Sequence, residues 1–570
     1  MALVAKSFQW VANFDGSLDG EYPAGDKPPA VEDLAWNASA MAALVADFPS
    51  LDVGTPTSVN VRSALTGTNA ASATIAFANA TGDDPTTEGW VAPGSGDDLT
   101  HDGGETGSGS FQLAATYSGQ TTNSATIPWA YTSGSAPDYP ISSGTSTYDA
   151  VGVPPGSTIT IPSGTRGKLT IKNAQGTSGN RITIRGPSTG QAIIRRSSPA
   201  SGNFILLLWN CAHVTVDGST SSDAPLANDG KRHSIKIMHA SSGTTDAPTA
   251  FLKFRGNTGG STYTNCHDIT IKQIEIDGGW PSNAADGIGI MTNDNAILAA
   301  SFPGQFQENI IIEHCYIQRC QGEGMYIGNN PYDLCVPLKN ITIRYNYAED
   351  CGWNFCNPKS WYEGTNLVHD NISKRCGSEA HAQQAAGMAF ICCKADIYNN
   401  WIEDAGEQGI KSWNGGAGAP TTATYSSFAL NIYNNVIIGS GQLFSEDGID
   451  IMCDAGYTPP LAHIYNNTVV DSAAAGIKIG SNVSSSSWVR NNIVLNSGGS
   501  AIDDGPGASS DNTTTGNPAT IFTNYAADDY TLAAAIAASG TVGVDIAATD
   551  YAGTARPQGA TSDRGAYEHA

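Results

Sequence analysis

Five residues in the second half of the chain carry the side chains that sugar chemistry uses. They are two carboxylates, two amines and one flat apolar ring: Asp447, Asp450, Lys411, Lys478 and Trp413. Glycoside hydrolysis requires two carboxyl groups about 5 to 9 Å apart, one acting as the acid and the other as the nucleophile or base. A tryptophan face can stack on a sugar ring. The set predicts a hydrolytic site if the fold brings its members together.

Two other interpretations of the same residues stay open. Lys411 could be the base that removes the proton beside a uronate carboxylate, and a cation or an arginine would then neutralise that carboxylate. Alternatively, the lysines and aspartates only pair with each other between neighbouring strands. The residue types therefore leave a hydrolase, a lyase and a ladder of structural ion pairs as alternatives.

Further candidates surround this set. Glu323 and Tyr326 occupy equivalent outward positions in an earlier repeat, and His381 in segment 377–387 could serve as a general acid or base. Segment 357–364, "NPKSWYEG", is predicted to be a loop that walls a groove. The predicted catalytic residues are Asp447, Asp450, Lys411, Glu323 and His381, and the predicted substrate-binding residues are Trp413, Trp361, Tyr362, Tyr326, Lys359 and Lys478.

A repeated phrase is the element that must position these residues. It is seen in "DIYNNWIEDAGEQGIKSW", "NIYNNVIIGSGQLFSEDGIDIM" and "HIYNNTVVDSAAAGIKIG". Its fixed asparagines are Asn346, Asn371, Asn400, Asn435, Asn467 and Asn492, with Cys315 in the same place one phrase earlier. Five positions after each stands a small residue: Cys320, Cys351, Cys376, Ala405, Ser440, Ser472 and Ser497. A Gly-Ile or Gly-Met pair follows, so the fixed positions recur while the residues between them change.

A period of this kind with insertions of variable length indicates a solenoid. Alternating stretches such as "NITIRYNY" indicate strands, so each phrase is predicted to be one coil of short parallel strands, stacked about 4.8 Å from the next. Inward asparagine amides would bond to the coils above and below, and the small residues would fit a tight corner. In the Gly-Ile strand the residue before glycine and the second residue after it would face outward, which places Asp447, Asp450, Lys411 and Lys478 on one surface.

The repeat resembles the right-handed parallel β-helix proteins of the pectin-lyase-like class over about residues 145 to 515, and "VGVPPGSTITIPSGTRGKLTIKNAQGTSGNRITIRGP" (151–187) looks like their first coils. The tail "DYAGTARPQGATSDRGAYE" (550–568) is similar to the end of bacterial β-helix proteins with a choice-of-anchor Q module. The resemblance implies an all-β fold and leaves the reaction open, because this fold carries lyases, hydrolases, epimerases and inert spikes.

Two catalytic signatures known on this fold do not carry over. "SEDGIDI" is similar to the first Asp-bearing strand of polygalacturonases, but the next repeats read "AAGIKIG" and "SAIDDG" where a paired-Asp strand and Gly-His-Gly should follow. The Asp-Pro-His of mannuronan epimerases is absent. No catalytic residue is therefore assigned from either family.

The chain divides into five predicted parts. These are an N-terminal segment of unclear fold and possible attachment role (1–54), an Ig-like or fibronectin-like β-sandwich (55–132), a linker (133–146), the parallel β-helix (147–515) and a C-terminal capping segment (516–570). The alternating stretches and turn-rich gaps of residues 55–132 are typical of a small sandwich.

Composition excludes several partners. A net charge of −25 disfavours nucleic acid and anionic membranes, and no stretch approaches the roughly 20 apolar residues of a membrane span. The start of the chain lacks the apolar core of a signal peptide, and 11 cysteines without paired CxxC motifs favour free thiols and folding in a reducing compartment. No cofactor is required, although Ca²⁺ could bind an acidic loop through Asp97, Asp98 and Asp102.

These observations support three hypotheses about function. The first is a polysaccharide depolymerase or glycan-binding spike on a phage tail, forming a homotrimer that binds virion components. The second is a secreted bacterial polysaccharide lyase or hydrolase whose leader has been removed. The third is a non-catalytic structural or adhesive β-helix of a virion. All three place the protein on a virion or outside the cell, with a polysaccharide as the expected partner.

Overall fold

The computed structural model describes residues 138–195, 204–239, 250–256, 266–280, 288–292, 306–328, 336–379, 381, 384–415, 428–543, 546–558 and 561–569, together with the backbone of seven strands between 59 and 131. The N-terminal segment 1–54 and the Ca²⁺ prediction at Asp97 and Asp102 lie outside the described residues. For Asp98 only the backbone is described.

Each complete coil contributes one strand to each of three parallel faces. The first face consists of Asp138–Pro140, Thr158–Thr160, Ile182–Arg185, Ala212–Asp217, His267–Lys272, Gln307–Glu313, Leu338–Arg344, Leu367–His369, Ala395–Tyr398, Phe428–Tyr433, Pro460–Tyr465, Trp488–Arg490 and Ala508–Ser510. The second consists of Gly164–Arg166, Ala192–Arg195, Ile235–Met238, Glu275–Asp277, Tyr316–Gln318, Tyr347–Glu349, Ile372–Lys374, Trp401–Glu403, Val436–Ile438, Thr468–Val470 and Ile493–Leu495. The third consists of Thr147–Asp149, Leu169–Lys172, Phe204–Trp209, Ala250–Arg255, Ile288–Met291, Met325–Ile327, Cys356–Glu363, Met388–Cys393, Ile410–Asn414, Ile449–Cys453, Ile477–Ile479 and Ile502–Asp503.

The coils stack in strict parallel register. On the third face Ile410 pairs with Ile449 and Ile449 with Ile477, and the first and second faces continue in the same way. Inward isoleucine, valine and leucine side chains from all three faces form one continuous buried core. The predicted parallel β-helix is confirmed, and its coils bring residues distant along the chain to about 4.8 Å from one another.

A ladder of asparagine side chains runs through the corner between the first and second faces. The amide of Asn371 donates to Asn400 Oδ1 at 2.9 Å, Asn400 donates to Asn435 at 2.9 Å, and Asn435 donates to Asn467 at 2.9 Å. The predicted ladder is confirmed from Asn346 to Asn492, and it extends one coil further to Asn512. These hydrogen bonds thereby satisfy the polar groups of a buried corner that water does not reach.

The column of small residues packs the opposite end of each second-face strand. Cys320, Cys351 and Cys376 are buried free thiols, as the packing interpretation predicts. Glycine is required just before the third-face strand because a Cβ on Gly448 would lie 2.4 Å from Val469 Cγ1 and 2.4 Å from the Gly476 carbonyl oxygen. The fixed positions of the repeat are therefore those at which neighbouring coils approach most closely.

The described residues of segment 516–570 lie against the second face. They form the helix Pro518–Ile521, the 3₁₀ turn Tyr525–Ala527 and the antiparallel strands Phe522–Asn524 and Asp529–Leu532. Tyr530 packs edge-on against Trp401 with ring centroids 5.7 Å apart. Buried Arg556 pairs with Glu568 at 2.9 Å, which ties the tail's own turns together. The predicted capping segment thus covers a side of the solenoid, and its likeness to a choice-of-anchor module stays a prediction.

The described strands of the N-terminal unit form two antiparallel sheets. One joins Val59–Asn60, Trp90–Val91 and Asp98–His101, and the other joins Thr74–Gly82, Gly107–Tyr117, Gln120–Asn123 and Ile127–Tyr131. The bounds 55–132 and the Ig-like architecture stay predictions. The predicted linker 133–146 overlaps the first described strand of the solenoid, Asp138–Pro140, and the Ile141 amide donates to the Thr160 carbonyl at 2.8 Å. Among the described residues no helix is long and apolar enough to cross a membrane.

The asparagine ladder predicts a large and local loss of stability. Replacing Asn400 with alanine removes its bonds to Asn435 Oδ1 and the Val368 carbonyl and leaves the backbone amide of Asn371 without its acceptor. We expect Asn400→Ala to destabilise the protein by about 2 to 4 kcal/mol, measured by thermal and denaturant unfolding. Asn431→Ala, on the outer surface of the first face, is the matched control and should cost less than about 1 kcal/mol. Equal losses for the two variants would contradict a stabilising role of the ladder.

Candidate functional site

An open groove runs along the outside of the third face over five coils, about 19 Å in length. Its volume is about 490 Å³, within the range of roughly 300 to 1,000 Å³ that is usual for ligand sites. The lining combines cations, carboxylates, amides and apolar side chains: Asn357, Lys359, Gln384, Ala389, Ile391, Glu407, Gln408, Lys411, Trp413, Glu446, Asp450, Met452, Asp454 and Lys478. The groove is therefore polar along its whole length with a few apolar faces.

Strand register places three predicted residues in one outward column. Lys411 is the direct neighbour of Asp450, and Asp450 is the direct neighbour of Lys478. Trp413 stands beside Met452 in the next outward column and donates from Nε1 to Asp454 Oδ1 at 3.2 Å. The coils thus bring together four of the predicted residues, although the first and the last of them are 67 positions apart along the chain (411 to 478).

Asp447 and Asp450 face the same region because Gly448 lies outside the strand Ile449–Cys453. Asp447 belongs to the preceding turn, where it accepts from the Ala475 backbone amide at 2.8 Å and lies 3.4 Å from Lys478 Nζ. It is 3% exposed and is not among the described residues that line the groove. Asp447 therefore positions Lys478 from behind the groove wall.

Asp450 is the carboxyl group best placed for proton transfer. It is 1% exposed, and its Oδ1 has no hydrogen-bond partner within the part of the chain that the structure describes. Burial raises the pKa of Asp450 to about 7; repulsion by Asp447 and Glu446 adds to the rise, and Lys478, 4.0 Å away, opposes it. A carboxyl group with this pKa is about half protonated at neutral pH, so it can donate a proton to a substrate there.

Two glutamates complete the acidic part of the groove. Burial and the neighbouring charges of Asp447 and Glu407 raise the pKa of Glu446, which accepts from Gln408 Nε2 at 3.1 Å. Glu407 lies 3.7 Å from Lys411 Nζ. Both glutamates stand three positions before the isoleucine of a third-face strand and were missed because the predicted outward positions began one residue later.

The oxygens of Glu446, Asp447 and Asp450 lie within 4.8 Å of one another, a spacing at which carboxylates can hold a cation. The Lys478 ammonium already stands 3.4 Å from Asp447 and 4.0 Å from Asp450. Lys478 therefore supplies a positive charge at this cluster.

The other end of the groove holds a second buried acid. Glu323 is 2% exposed, accepts from Asn357 Nδ2 at 3.1 Å and has a pKa raised by burial. Lys359 lies over the ring of Tyr326, with Nζ 4.3 Å from the ring centroid, and burial lowers the pKa of its amine. Lys359 and Asn357 line the groove. Glu323 stands directly behind Asn357.

Two of the predicted substrate-binding residues, Trp361 and Tyr362, do not line the groove, and their predicted role is wrong. Trp361 is 0% exposed and donates from Nε1 to the Ile327 carbonyl at 2.9 Å, and Tyr362 is buried against Cys392 and Phe428. The cause is that residues 356–363 form a strand of the third face, not a loop. Both rings therefore fill the interior of the solenoid and its corner, where no sugar can reach them.

His381 lies apart from the groove lining. It is exposed, and its ring packs on Trp353 with centroids 4.6 Å apart. Trp353 in turn donates to Glu379 at 2.9 Å, so this cluster holds the turn that begins at residue 377. Of the predicted catalytic residues, Asp450 and Lys411 reach the groove, whereas Asp447 and Glu323 lie behind its wall.

No protein-family model and no curated protein matches this sequence. Among solved structures, the GH136 lacto-N-biosidase of Eubacterium ramulus is similar over 64% of this chain at 14% identity and a TM-score of 0.36, and this chain spans 62% of it. The A-module of mannuronan C-5 epimerase AlgE6 from Azotobacter vinelandii is similar over 65% of this chain and 92% of its own, at 12% identity and a TM-score of 0.37. The tailspike gp49 of Acinetobacter baumannii bacteriophage Fri1 is similar over 72% and 69%, at 9% identity and a TM-score of 0.30.

The raised pKa of Asp450 predicts a pH-dependent gain in stability when the group is made unable to ionise. Its pKa is about 7 in the folded chain and about 3.9 in the unfolded chain, so folding loses stability as the pH rises from about 4 to about 7. Asp450→Asn should match the wild type at pH 4 and exceed its stability by up to about 4 kcal/mol at pH 8, measured as melting temperature across pH. Asp503→Asn, in the same column one coil further on, is the control. A gain that is the same at both pH values would contradict the assignment.

The fold assignment follows from the chain's own sheets, in which each complete coil adds one parallel strand to each of three faces. Such crossovers are right-handed in nearly all known cases. The chain is a right-handed parallel β-helix with a polar groove on its third face.

Proposed function

We propose that this protein is an enzyme that cleaves a polysaccharide, with the glycan lying along the third-face groove and Asp450 donating a proton to the glycosidic oxygen. One observation carries the proposal: a carboxyl group on the groove wall is buried, has an oxygen without a partner among the described residues, and has a pKa of about 7. A buried protonated acid is what departure of a sugar alcohol requires.

Glu446 is the second carboxyl group in this mechanism. Its oxygen lies within 4.8 Å of that of Asp450, which is nearer to the separation of about 5 to 5.5 Å in retaining hydrolases than to the 6.5 to 9.5 Å of inverting ones. Glu446 would attack the anomeric carbon and form a covalent bond to the sugar while Asp450 protonates the leaving oxygen. Asp450 would then take a proton from a water molecule that attacks the same carbon and releases Glu446. We therefore expect the first product to keep its anomeric configuration.

The remaining lining residues bind and orient the glycan. Trp413 offers a partly exposed ring to a sugar face, and Lys411 and Lys478 on either side of Asp450 can donate to hydroxyl or carboxylate oxygens. Five coils provide room for several consecutive sugar units. The groove is thus suited to an extended chain and not to a single sugar.

Lyase chemistry is the second candidate, because Lys411 lines the groove one coil from Asp450 and lies 3.7 Å from Glu407. In that reaction Lys411 would remove the proton beside a uronate carboxylate. The products separate the two reactions: a lyase leaves an unsaturated uronate that absorbs in the ultraviolet, whereas a hydrolase produces reducing ends without that absorbance.

For the setting of the enzyme, we propose a phage tailspike. None of the ten cysteines in the described part of the chain forms a disulfide, and all ten are buried, which favours folding in a reducing cytoplasm, as a virion component would undergo before lysis. A secreted bacterial enzyme and a non-catalytic virion protein are the alternatives.

The catalytic assignment predicts a selective loss of turnover. On a glycan identified from a panel of capsular and plant polysaccharides, Asp450→Asn should lower kcat about 10²- to 10⁴-fold with little change in KM, because it removes the proton donor and keeps the shape. The wild-type kcat/KM should fall about tenfold per pH unit above pH 7 as Asp450 loses its proton. Asp503→Asn should retain full activity. An Asp450→Asn variant that is fully active on a confirmed substrate would refute the role of Asp450.

The tailspike setting is tested on the particle. We expect the purified protein to have the mass of three chains by light scattering, and antibodies against it to label the tails of intact phage. A monomer that is absent from purified particles would instead favour the secreted enzyme. A trimer on the particle that leaves every glycan intact would favour the adhesive protein.

A further inference from the structure

A cluster of metal-ligating side chains lies on the first face, separate from the third-face groove. It consists of His213 on the strand Ala212–Asp217 and of His267 and Asp268 on the next strand, His267–Lys272. Ala212 pairs with His267, so His213 stands beside Asp268 on the neighbouring coil. His213 and Asp268 have φ angles of 50° and 53°, a left-handed conformation that is uncommon outside glycine, and they adopt it at matching positions of the two coils.

The three side chains converge on one point. His267 Nδ1 lies 2.6 Å from one oxygen of Asp268, and His213 Nδ1 lies 3.8 Å from the other. One donor atom from each residue lies within 4.8 Å of the other two. Ligands of tetrahedral zinc, with bonds of about 2.0 to 2.1 Å, stand about 3.3 Å apart, so shifts of less than about 1 Å would bring these donors into place.

The surroundings support ion binding. Asn309 donates to Asp268 Oδ1 at 3.1 Å, and Asn340 on the following coil donates to Asn309 Oδ1 at 3.0 Å, so a chain of amides orients the carboxylate. The three side chains are 22% to 34% exposed, which admits an ion from solvent and leaves a coordination position for water. The chain's net charge of −25 favours cations near its surface.

We propose that His213, His267 and Asp268 form a site for one divalent transition metal of the zinc class. Two imidazoles and one carboxylate suit zinc, nickel, cobalt or copper, whereas calcium and magnesium prefer oxygen ligands throughout. Binding forms bonds from one ring nitrogen of each neutral histidine and from the carboxylate to the ion, and each imidazole keeps its proton on the other ring nitrogen. The ion joins two coils whose ligands are 54 residues apart in sequence (213 to 267), and so it acts as a clip between coils.

The competing explanation of the same contacts is a plain histidine–aspartate ion pair across two coils. The two explanations differ in one property: only a metal site requires both histidines at once. The sharpest test therefore compares single histidine variants for the binding of a defined ion.

The experiment is a titration of ZnCl₂ into the full chain by calorimetry, together with the visible absorption of bound Co²⁺. We expect one ion per chain for the wild type, and affinity at least tenfold weaker with loss of the Co²⁺ bands in both His213→Gln and His267→Gln. His463→Gln, a first-face histidine that stacks on Trp488, is the matched control and should bind as the wild type does. Asp450→Asn should also bind normally, which separates this site from the acidic cluster of the groove.

Stability gives a second readout. Zinc should raise the melting temperature of the wild type and of His463→Gln and leave those of the two histidine variants unchanged. If His267→Gln folds poorly, Asp268→Asn replaces it. No binding of zinc at millimolar concentration, or binding that survives both histidine substitutions, overturns the proposal without affecting the proposed enzyme.

Discussion

The stacking of coils in fixed register is the constraint on which the rest of the structure depends. Backbone bonds between parallel strands could in principle slip, and slipping by one residue would turn every inward side chain outward. The asparagine ladder resists such a slip, because each amide must donate to the one above it while its own oxygen accepts from the backbone of the coil below. Once Asn400 and Asn435 are aligned, the strands that follow them are aligned too. The neighbours Lys411 and Asp450 on the third face therefore follow from a corner on the other side of the solenoid.

The same register places carboxyl groups close together. Together with burial, the repulsion between their charges raises the pKa of Asp450, which suits that group to proton transfer. Three acidic groups lie within 4.8 Å of one another where the turn before Ile449–Cys453 leads into that strand. The backbone amide of Ala475 and the Lys478 ammonium offset the charge of Asp447, whereas Asp450 Oδ1 receives no hydrogen bond within the described chain. Two carboxyl groups three positions apart therefore have different environments: Asp447 is held behind the groove wall, and Asp450 lines the groove.

The sequence predicts the solenoid, the ladder and the column of Lys411, Asp450 and Lys478, because all three follow from the repeat that is visible in the sequence. It does not predict where the alternation of inward and outward side chains along a strand is interrupted. Ser360 and Cys392 stand at matching places on neighbouring coils with φ angles of 62° and 55°, and this left-handed corner turns Trp361 into the core where continued alternation would expose it. Glu407 and Glu446 were not predicted as groove residues for a related reason. They belong to the turn before the strand, where the two-residue alternation of a strand does not apply.

The three faces differ in what remains open to a ligand. The C-terminal segment covers the second face, with Tyr530 packed on Trp401. Along the first face His369, Tyr398, Tyr433 and Tyr465 stack at 4.6 to 5.0 Å, with interplanar angles of 2° to 16°. Rings stacked in this way cover one another's faces and present only their edges, and sugars stack on faces, so this ladder serves stability and not recognition. On the third face Trp413 is flanked by Ile391 and Met452, and its ring remains partly exposed. The third face therefore offers both an aromatic ring face and a proton donor to a glycan.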